Sequence, residues 1–226
     1  MKLRIQITKE KAVKYISHLE YARTISRALR RAKLPVKYSE GFNPHIKMSL
    51  ASALGVGIAS LSEYAEIELE ETLDANLAVQ KLNQALPDGI KVLRADVIDK
   101  KADAKLMAML RGASYLVIVA DGDREALKKV LGSYPDFGEL AYKKKTPPGK
   151  PDRVVDMKYY VSEVSFEECP QGLKIMFDCL IEAKGTIKPQ EFICALDEKF
   201  SLDIDIAAID ITRTALYKDE KKNLLD

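Results

Sequence analysis

Two stretches of strict two-residue alternation limit what this chain can fold into. Leu3, Ile5 and Ile7 alternate with Arg4, Gln6 and Thr8, and Ala65, Ile67 and Leu69 alternate with Glu66, Glu68 and Glu70. Successive side chains of a strand point to opposite faces, so each stretch reads as a strand with one apolar and one polar side. Such strands belong to an antiparallel sheet that is covered on one face. Between them the period changes. Ala22, Ile25, Leu29 and Ala32 share one face of a helix at about 100° per residue. Ser17 and Glu20 have the spacing of a capping box in which each side chain satisfies an orphan N–H, and Pro35 stops the helix. Residues 36–38 and 46–50 read as extended, and the small-residue stretch 51–60 as a turn or close-approach backbone. Residues 73–86 read as a helix with Asp74 near its start, and residues 90–98 as a strand. The order β-α-β-β-α-β is the ferredoxin-like pattern. In that fold strands one and three are neighbours, so Arg4 is expected to face Glu66, Glu68 and Glu70 across an open sheet face as a structural pairing.

After a polar, partly helical connector at residues 99–112 the order restarts. Residues 115–120 read as a strand, and 123–134 as a helix capped by Asp121 or Asp123. Residues 161–167 and 173–183 form a hairpin around Pro170-Gln171-Gly172. A helix at 189–200 with Pro189 in its first turn and a strand at 208–217 complete the set. Residues 139–160 are an extra segment with a Pro- and Gly-rich loop at 146–152. No sequence repeat accompanies the repeated order. The expected fold class is α+β: two ferredoxin-like modules, residues 1–110 and 111–226, packed as one compact body. The strand at 115–120 has no polar side chain facing either way, which calls for cover on both faces, from the first module or from another chain.

Composition excludes several classes. No apolar run among the 226 residues approaches the roughly 20 needed to span a bilayer, and the alternating N-terminus is no signal peptide. Cys169, Cys179 and Cys194 form no C-x-x-C pair, which points to reduced thiols in the cytoplasm and to no metal site. Charge is more informative. Residues 1–50 hold 12 Lys/Arg against 3 Asp/Glu, a net of +9, while the whole chain is only +2. A basic end suggests a localised anionic partner such as phosphates. Arg23, Arg27, Arg30 and Arg31 fall within an arc of about 100° on the face of the first helix opposite its apolar side.

That helix leads into residues 38–49. Gly41 can take φ > 0, and Asn43-Pro44 is a turn-forming pair. The loop offers an aromatic ring (Phe42), an amide (Asn43), an imidazole (His45) and an ammonium (Lys47) within six positions. Its two readings are a tight turn with Phe42 buried and a ligand-contacting loop. Tyr38, Phe42, Tyr159 and Tyr160 are the rings that could stack on RNA bases if exposed. His18, at the start of the first helix on its apolar side, reads as a capping or core histidine.

The motifs Ser17-His18-Leu19, Tyr38-Ser39-Glu40-Gly41-Phe42-Asn43-Pro44-His45, Leu54-Gly55-Val56-Gly57, Ser62-Glu63-Tyr64 and Val155-Asp156-Met157-Lys158-Tyr159-Tyr160 together resemble the bacterial radical SAM-linked proteins, a family of unknown function. The resemblance spans nearly the whole chain. It implies a radical SAM protein as partner, with the iron–sulfur cluster and S-adenosylmethionine on that partner. The chain itself lacks the closely spaced cysteines that hold such a cluster. It also has no Walker, H-E-x-x-H or G-x-S-x-G motif.

Three functions are therefore expected in this order. The first is a non-enzymatic RNA-binding accessory protein that presents substrate to a radical SAM enzyme, with no cofactor of its own. Its anion-binding residues are Arg23, Arg27, Arg30, Arg31, Phe42, Asn43, His45 and Lys47. The second is an RNA endonuclease or RNA-modifying enzyme in which His45 is the catalytic base. The third is a protein-interaction module without nucleic acid.

Overall fold

Alternation and helical period become real elements in a computed structural model that describes residues 1–99, 105–144, 152–183 and 185–226. The protein mixes six α-helices, among the described residues, with a mostly antiparallel sheet. Two compact units are present. The first holds Met1–Leu110 together with Arg213–Asp226, and the second holds Arg111–Thr212.

In the first unit, strand β1 (Lys2–Lys9) is followed by helix α1 (His18–Arg31), β2 (Met48–Leu50), β3 (Ile58–Glu68), α2 (Ala75–Ala85), β4 (Val92–Ile98) and the short α3 (Leu106–Met109). A 3-10 helix at Lys11–Tyr15 joins β1 to α1. The strands lie in the order β4-β1-β3-β2, every neighbour antiparallel. Leu3, Ile5 and Ile7 on β1 and Ala65 and Ile67 on β3 form one core with Ile25, Ala28 and Leu29 of α1 and Ala78 and Leu82 of α2. Each fully buried Leu or Ile there contributes about 1.5–3 kcal/mol relative to exposure.

Register pairs Arg4 with Glu66, as the alternation requires. The expected open sheet face is corrected, however: Arg4 and Glu66 are only 4% and 5% exposed. Arg4 donates two N–H groups to Glu66 Oε1 at 2.6 and 3.1 Å and a third to the Leu224 carbonyl at 2.8 Å. Residues at the chain's far end belong to this unit, and they cover a face that alternation alone assigns to solvent. Strand β3 also begins at Ile58, inside the stretch read as a turn. Ser60, Ser62 and Glu63 interrupt its apolar pattern, yet all three are buried.

The second unit runs β5 (Gly112–Val119), α4 (Arg124–Ser133), β6 (Ala141–Lys144), β7 (Arg153–Asp156), α5 (Met157–Tyr160), β8 (Val161–Cys169), β9 (Gly172–Leu180) and α6 (Pro189–Phe200). Strand β10 (Asp210–Tyr217) then takes the chain back into the first unit. Strands β5, β9 and β8 pair antiparallel, while β6 and β7 form a separate two-stranded ladder from the extra segment. Asp123 caps α4 by accepting from the Ala126 N–H at 3.0 Å. The β8–β9 turn needs Gly172: its φ is +141°, and a Cβ there would lie 2.1 Å from the Val119 carbonyl oxygen. On β5, the side with Tyr115, Val117 and Val119 is buried, and the side with Leu116 and Ile118 is only half-buried. The loop expected at 146–152 lies, except for Asp152, outside the described residues, as do positions 100–104 of the connector.

Candidate nucleic-acid interface

Helix α1 starts where Ser17 Oγ accepts the Glu20 N–H at 3.2 Å. Only half of the expected capping box forms, because the Glu20 carboxylate turns to Arg23 at 2.6 Å. Tyr21, Ile25, Ala28 and Leu29 face the core. Ala22, expected among them, is half-exposed, and His18 is exposed and not part of the core. Ser17 already does the capping, and Val13 and Ile16 pack against the core before the helix begins.

Arg23, Arg27, Arg30 and Arg31 are all exposed. Arg31 Nη2 donates to the Ala85 carbonyl at 2.6 Å, which ties the end of α1 to the end of α2. Arg27 and Arg30 have no side-chain partner among the described residues. A cavity of about 360 Å³ opens between the two helix ends, lined by Arg31, Ala32, Lys33, Lys81, Gln84 and Ala85. It presents three cations and no carboxylate.

After α1 the chain folds back on itself. Tyr38 bridges to Ile46 in antiparallel fashion, and the Lys47 N–H donates to the Lys37 carbonyl at 2.9 Å. Ser39 closes the base of the resulting hairpin. Its N–H donates to the His45 carbonyl at 2.8 Å, and its Oγ accepts the His45 N–H at 3.0 Å. The same Oγ lies 2.8 Å from His45 Nδ1. When Ser39 donates its hydroxyl proton to Nδ1, Nε2 carries the ring proton and offers a donor, not a base, to a ligand. Gly41, with φ +111°, turns the tip. Residues 40–45 are exposed, and the Phe42 ring is 105% exposed, so the reading that buries it is overturned. The tip itself is open: a Cβ on the neighbouring Gly41 would meet nothing within 4 Å.

Ser39 and His45 are thus brought together, while no hydrogen bond or ion pair joins the arginines to this loop among the described residues. Lys47 is half-buried and lines a second cavity. Of the other rings, Tyr38 and Tyr159 are exposed and Tyr160 is half-buried. Tyr159 donates to Glu182 at 2.9 Å and meets Tyr160 edge-on at 5.0 Å. No cluster of three or more metal-ligating side chains occurs among the described residues. None of their helices is long and apolar enough to cross a membrane.

Sequence reasoning missed a buried polar group in the first unit. Glu63 accepts from Ser60 Oγ at 2.6 Å and from Arg213 Nη1 at 2.9 and 3.1 Å. Lys9, with no exposed surface, donates to the carbonyls of Ile16 at 2.9 Å and Lys14 at 3.2 Å. Burial pulls the Lys9 pKa down, Glu63 opposes that, and Arg213 adds to it. The signal was available: Glu63 shares the parity of Ala65 and Ile67, and Lys9 that of Ile5 and Ile7, so both charges point toward the core.

No curated protein matches the chain. Among solved structures, a chain of a Cbf5–Nop10–Gar1 complex has a similar fold, with a TM-score of 0.53 and 13% sequence identity; the match covers 99% of this chain and 53% of that one. The protein therefore spans about half the length of that structural neighbour, and at this identity the likeness shows the fold alone. None of these matches carries the radical SAM link implied by the motif resemblance. The family described as an uncharacterized protein conserved in bacteria (DUF2344) matches over residues 2–189, and the chain belongs to it.

Proposed function

We propose that this protein binds single-stranded RNA through α1 and the hairpin at residues 38–46, and acts, without catalysis of its own, as the RNA-presenting partner of a radical SAM enzyme. The observation that carries the RNA reading is the Phe42 ring, wholly in solvent at the tip of a hydrogen-bonded hairpin. Such a ring adds nothing to the core, whereas a base stacked on it gains about 1–3 kcal/mol and any base will serve. Arg27 and Arg30 supply charge for phosphates, with Arg23 and Arg31 beside them. Asn43 and His45 add hydrogen-bonding groups next to the ring. Residues 1–110 and residues 111–226 are each read as a ferredoxin-like module. The antiparallel order β4-β1-β3-β2 with two helices supports this for the first, and the order β5-α4-β8-β9-α6-β10 for the second. The radical SAM partner rests on the motif resemblance, and the iron–sulfur cluster and S-adenosylmethionine belong to it. The compartment proposed is the cytoplasm, where thiols such as those of Cys169, Cys179 and Cys194, none of them in a disulfide, stay reduced.

A labelled mixed-sequence oligoribonucleotide, titrated at several salt concentrations, tests the reading. Arg27→Glu with Arg30→Glu should weaken binding and lower the salt slope by about one unit per lost phosphate contact. Phe42→Ala should weaken binding about tenfold, leave the salt slope alone and leave unfolding unchanged. Binding that ignores both changes sinks the proposal. Cleavage of total RNA by the purified protein, abolished by His45→Gln, would replace the accessory role with an enzymatic one.

A further inference from the structure

Helix α1 ends on a bond pattern whose turning residue is usually glycine. The Lys33 N–H donates to the Arg30 carbonyl at 3.1 Å, and the Leu34 N–H to the Leu29 carbonyl at 3.4 Å. These are the two bonds of a Schellman cap, and Leu29 and Leu34 both belong to the core. The residue that turns the chain is Lys33, at φ +51°. A left-handed backbone favours glycine, so a lysine there carries a conformational cost. Its side chain lines the cavity of about 360 Å³ at the ends of α1 and α2, together with Arg31, Lys81 and Gln84. Cations near a helix C-terminus commonly balance its exposed carbonyls. Arg31 does so, through the Ala85 carbonyl. Lys81, however, lies before the last turn of α2, which holds no basic residue. Lys33, Lys81 and the Gln84 amide have no side-chain partner among the described residues. The two helix ends bring about half a negative charge each. Three full positive charges oppose them, and no carboxylate lines the cavity.

We infer that this cavity is a site for a phosphate monoester, the terminal phosphate of the bound RNA strand. A monoester carries about 1.5–2 negative charges at pH 7 on three free oxygens, whereas a phosphodiester inside a strand carries one charge on two. Each charge on the ligand is attracted by every cation, so a surplus of positive charge favours the monoester. Donors are plentiful: Arg31 keeps N–H groups beyond the one given to Ala85, and both ammonium groups and the Gln84 amide are open. The volume also leaves room for the terminal ribose. Arg27 and Arg31 are four residues apart and therefore neighbours on the helix surface. A strand lying on the arginine face thus reaches the cavity without a break in positive charge. The inference deepens the RNA-binding reading and rests on it for the source of the phosphate.

Three oligoribonucleotides of one mixed sequence test this. Each carries an internal fluorophore, and they end in a 5′-phosphate, a 3′-phosphate or hydroxyls at both ends. Titrated with the full chain, at least one phosphorylated strand should bind about tenfold more tightly than the hydroxyl-ended one, as hydrogen bonds between charged groups allow. Lys33→Gly and Lys81→Gln should each remove most of that preference. Glycine suits the left-handed cap, so Lys33→Gly should unfold at the same urea concentration or a higher one, which separates a lost contact from a lost fold. Arg27→Glu should weaken all three strands and keep their order. Equal binding of the three strands, or a preference that survives Lys33→Gly combined with Lys81→Gln, overturns the site. The two proposals fail separately. Equal binding that still depends on Arg27 and Phe42 removes the cavity and keeps the RNA reading. Ribose 5-phosphate held through Lys33 and Lys81 by a protein that retains no oligoribonucleotide keeps the monoester site and removes the RNA reading.

Discussion

Glu63 and Arg213 meet where almost no water reaches, so each charge depends on the other. Removing one partner of a buried pair leaves an uncompensated charge, which costs about 3–5 kcal/mol, whereas replacing both with apolar residues is often neutral. Arg213→Met should therefore lower the unfolding free energy by about 3–5 kcal/mol, and Glu63→Leu with Arg213→Met should recover most of it. Urea unfolding checks this; a single-variant loss below about 1 kcal/mol would show that Glu63 finds other compensation. Tyr21 sits in the same region and donates its hydroxyl to the Thr8 carbonyl at 2.9 Å. Burial raises its pKa well above the ordinary value near 10, and Glu63 adds to the rise. A folded-state pKa above the unfolded one keeps its stabilisation below pH 10 and loses it as pH climbs, because the unfolded chain gives up the proton first. One such group gives a slope of about 1.4 kcal/mol per pH unit. Lys9 has the opposite sign: its lowered pKa is a penalty that fades as pH rises toward 10.5. Comparing wild type with Tyr21→Phe between pH 8 and 11.5 isolates the phenol. The variant should start slightly less stable and lose stability less steeply above pH 10, and parallel curves would show that Tyr21 ionises freely in the fold.

At the scale of elements, what could be read in the sequence followed from local periodicity. The pairing of Arg4 with Glu66 was legible because a strand's period is two and the element order puts β1 beside β3. Asp74 was legible near its helix start and Asp123 as one of two candidate caps, because such carboxylates serve N–H groups only three residues away, at 2.7 and 3.0 Å. What escaped depends on distant chain. The first six residues of β3 were hidden because Ser60, Ser62 and Glu63 look like loop residues; parity with Ala65 hints that Glu63 points inward, but its partner Arg213 lies 150 positions on. On α1, the buried stripe is rotated toward Tyr21 and Ala28, because β1 and α2 decide which face is covered. The arginine face survives that rotation, since all four side chains remain in solvent. Phe42 could have gone either way. Gly41 permits the turn with the ring inward or outward, so local sequence leaves the direction open.

At the scale of the whole molecule, the chain leaves the first unit at Leu110 and returns to it at Arg213. The returning stretch supplies three partners to residues 1–110. Arg213 balances Glu63, the Leu224 carbonyl accepts from Arg4, and Asp226 pairs with Arg94 at 2.8 Å. Leu224 is itself only 1% exposed. Contacts separated by up to 220 residues also make this unit slow to assemble, since the whole intervening chain must be closed into a loop before they form. A fragment of residues 1–110 should accordingly be much less stable than the intact protein, with Glu63 left without Arg213 and one Arg4 N–H left without the Leu224 carbonyl. It should unfold at low urea, or with a broad transition that departs from two-state behaviour. Joining residues 213–226 to that fragment through a flexible Gly/Ser linker should restore a cooperative transition, and carrying Arg213→Met in the linked form should undo much of the gain. If the bare fragment unfolds as cooperatively, and at the same urea concentration, as the linked form, the returning segment is a passive cover and the buried ion pair is dispensable.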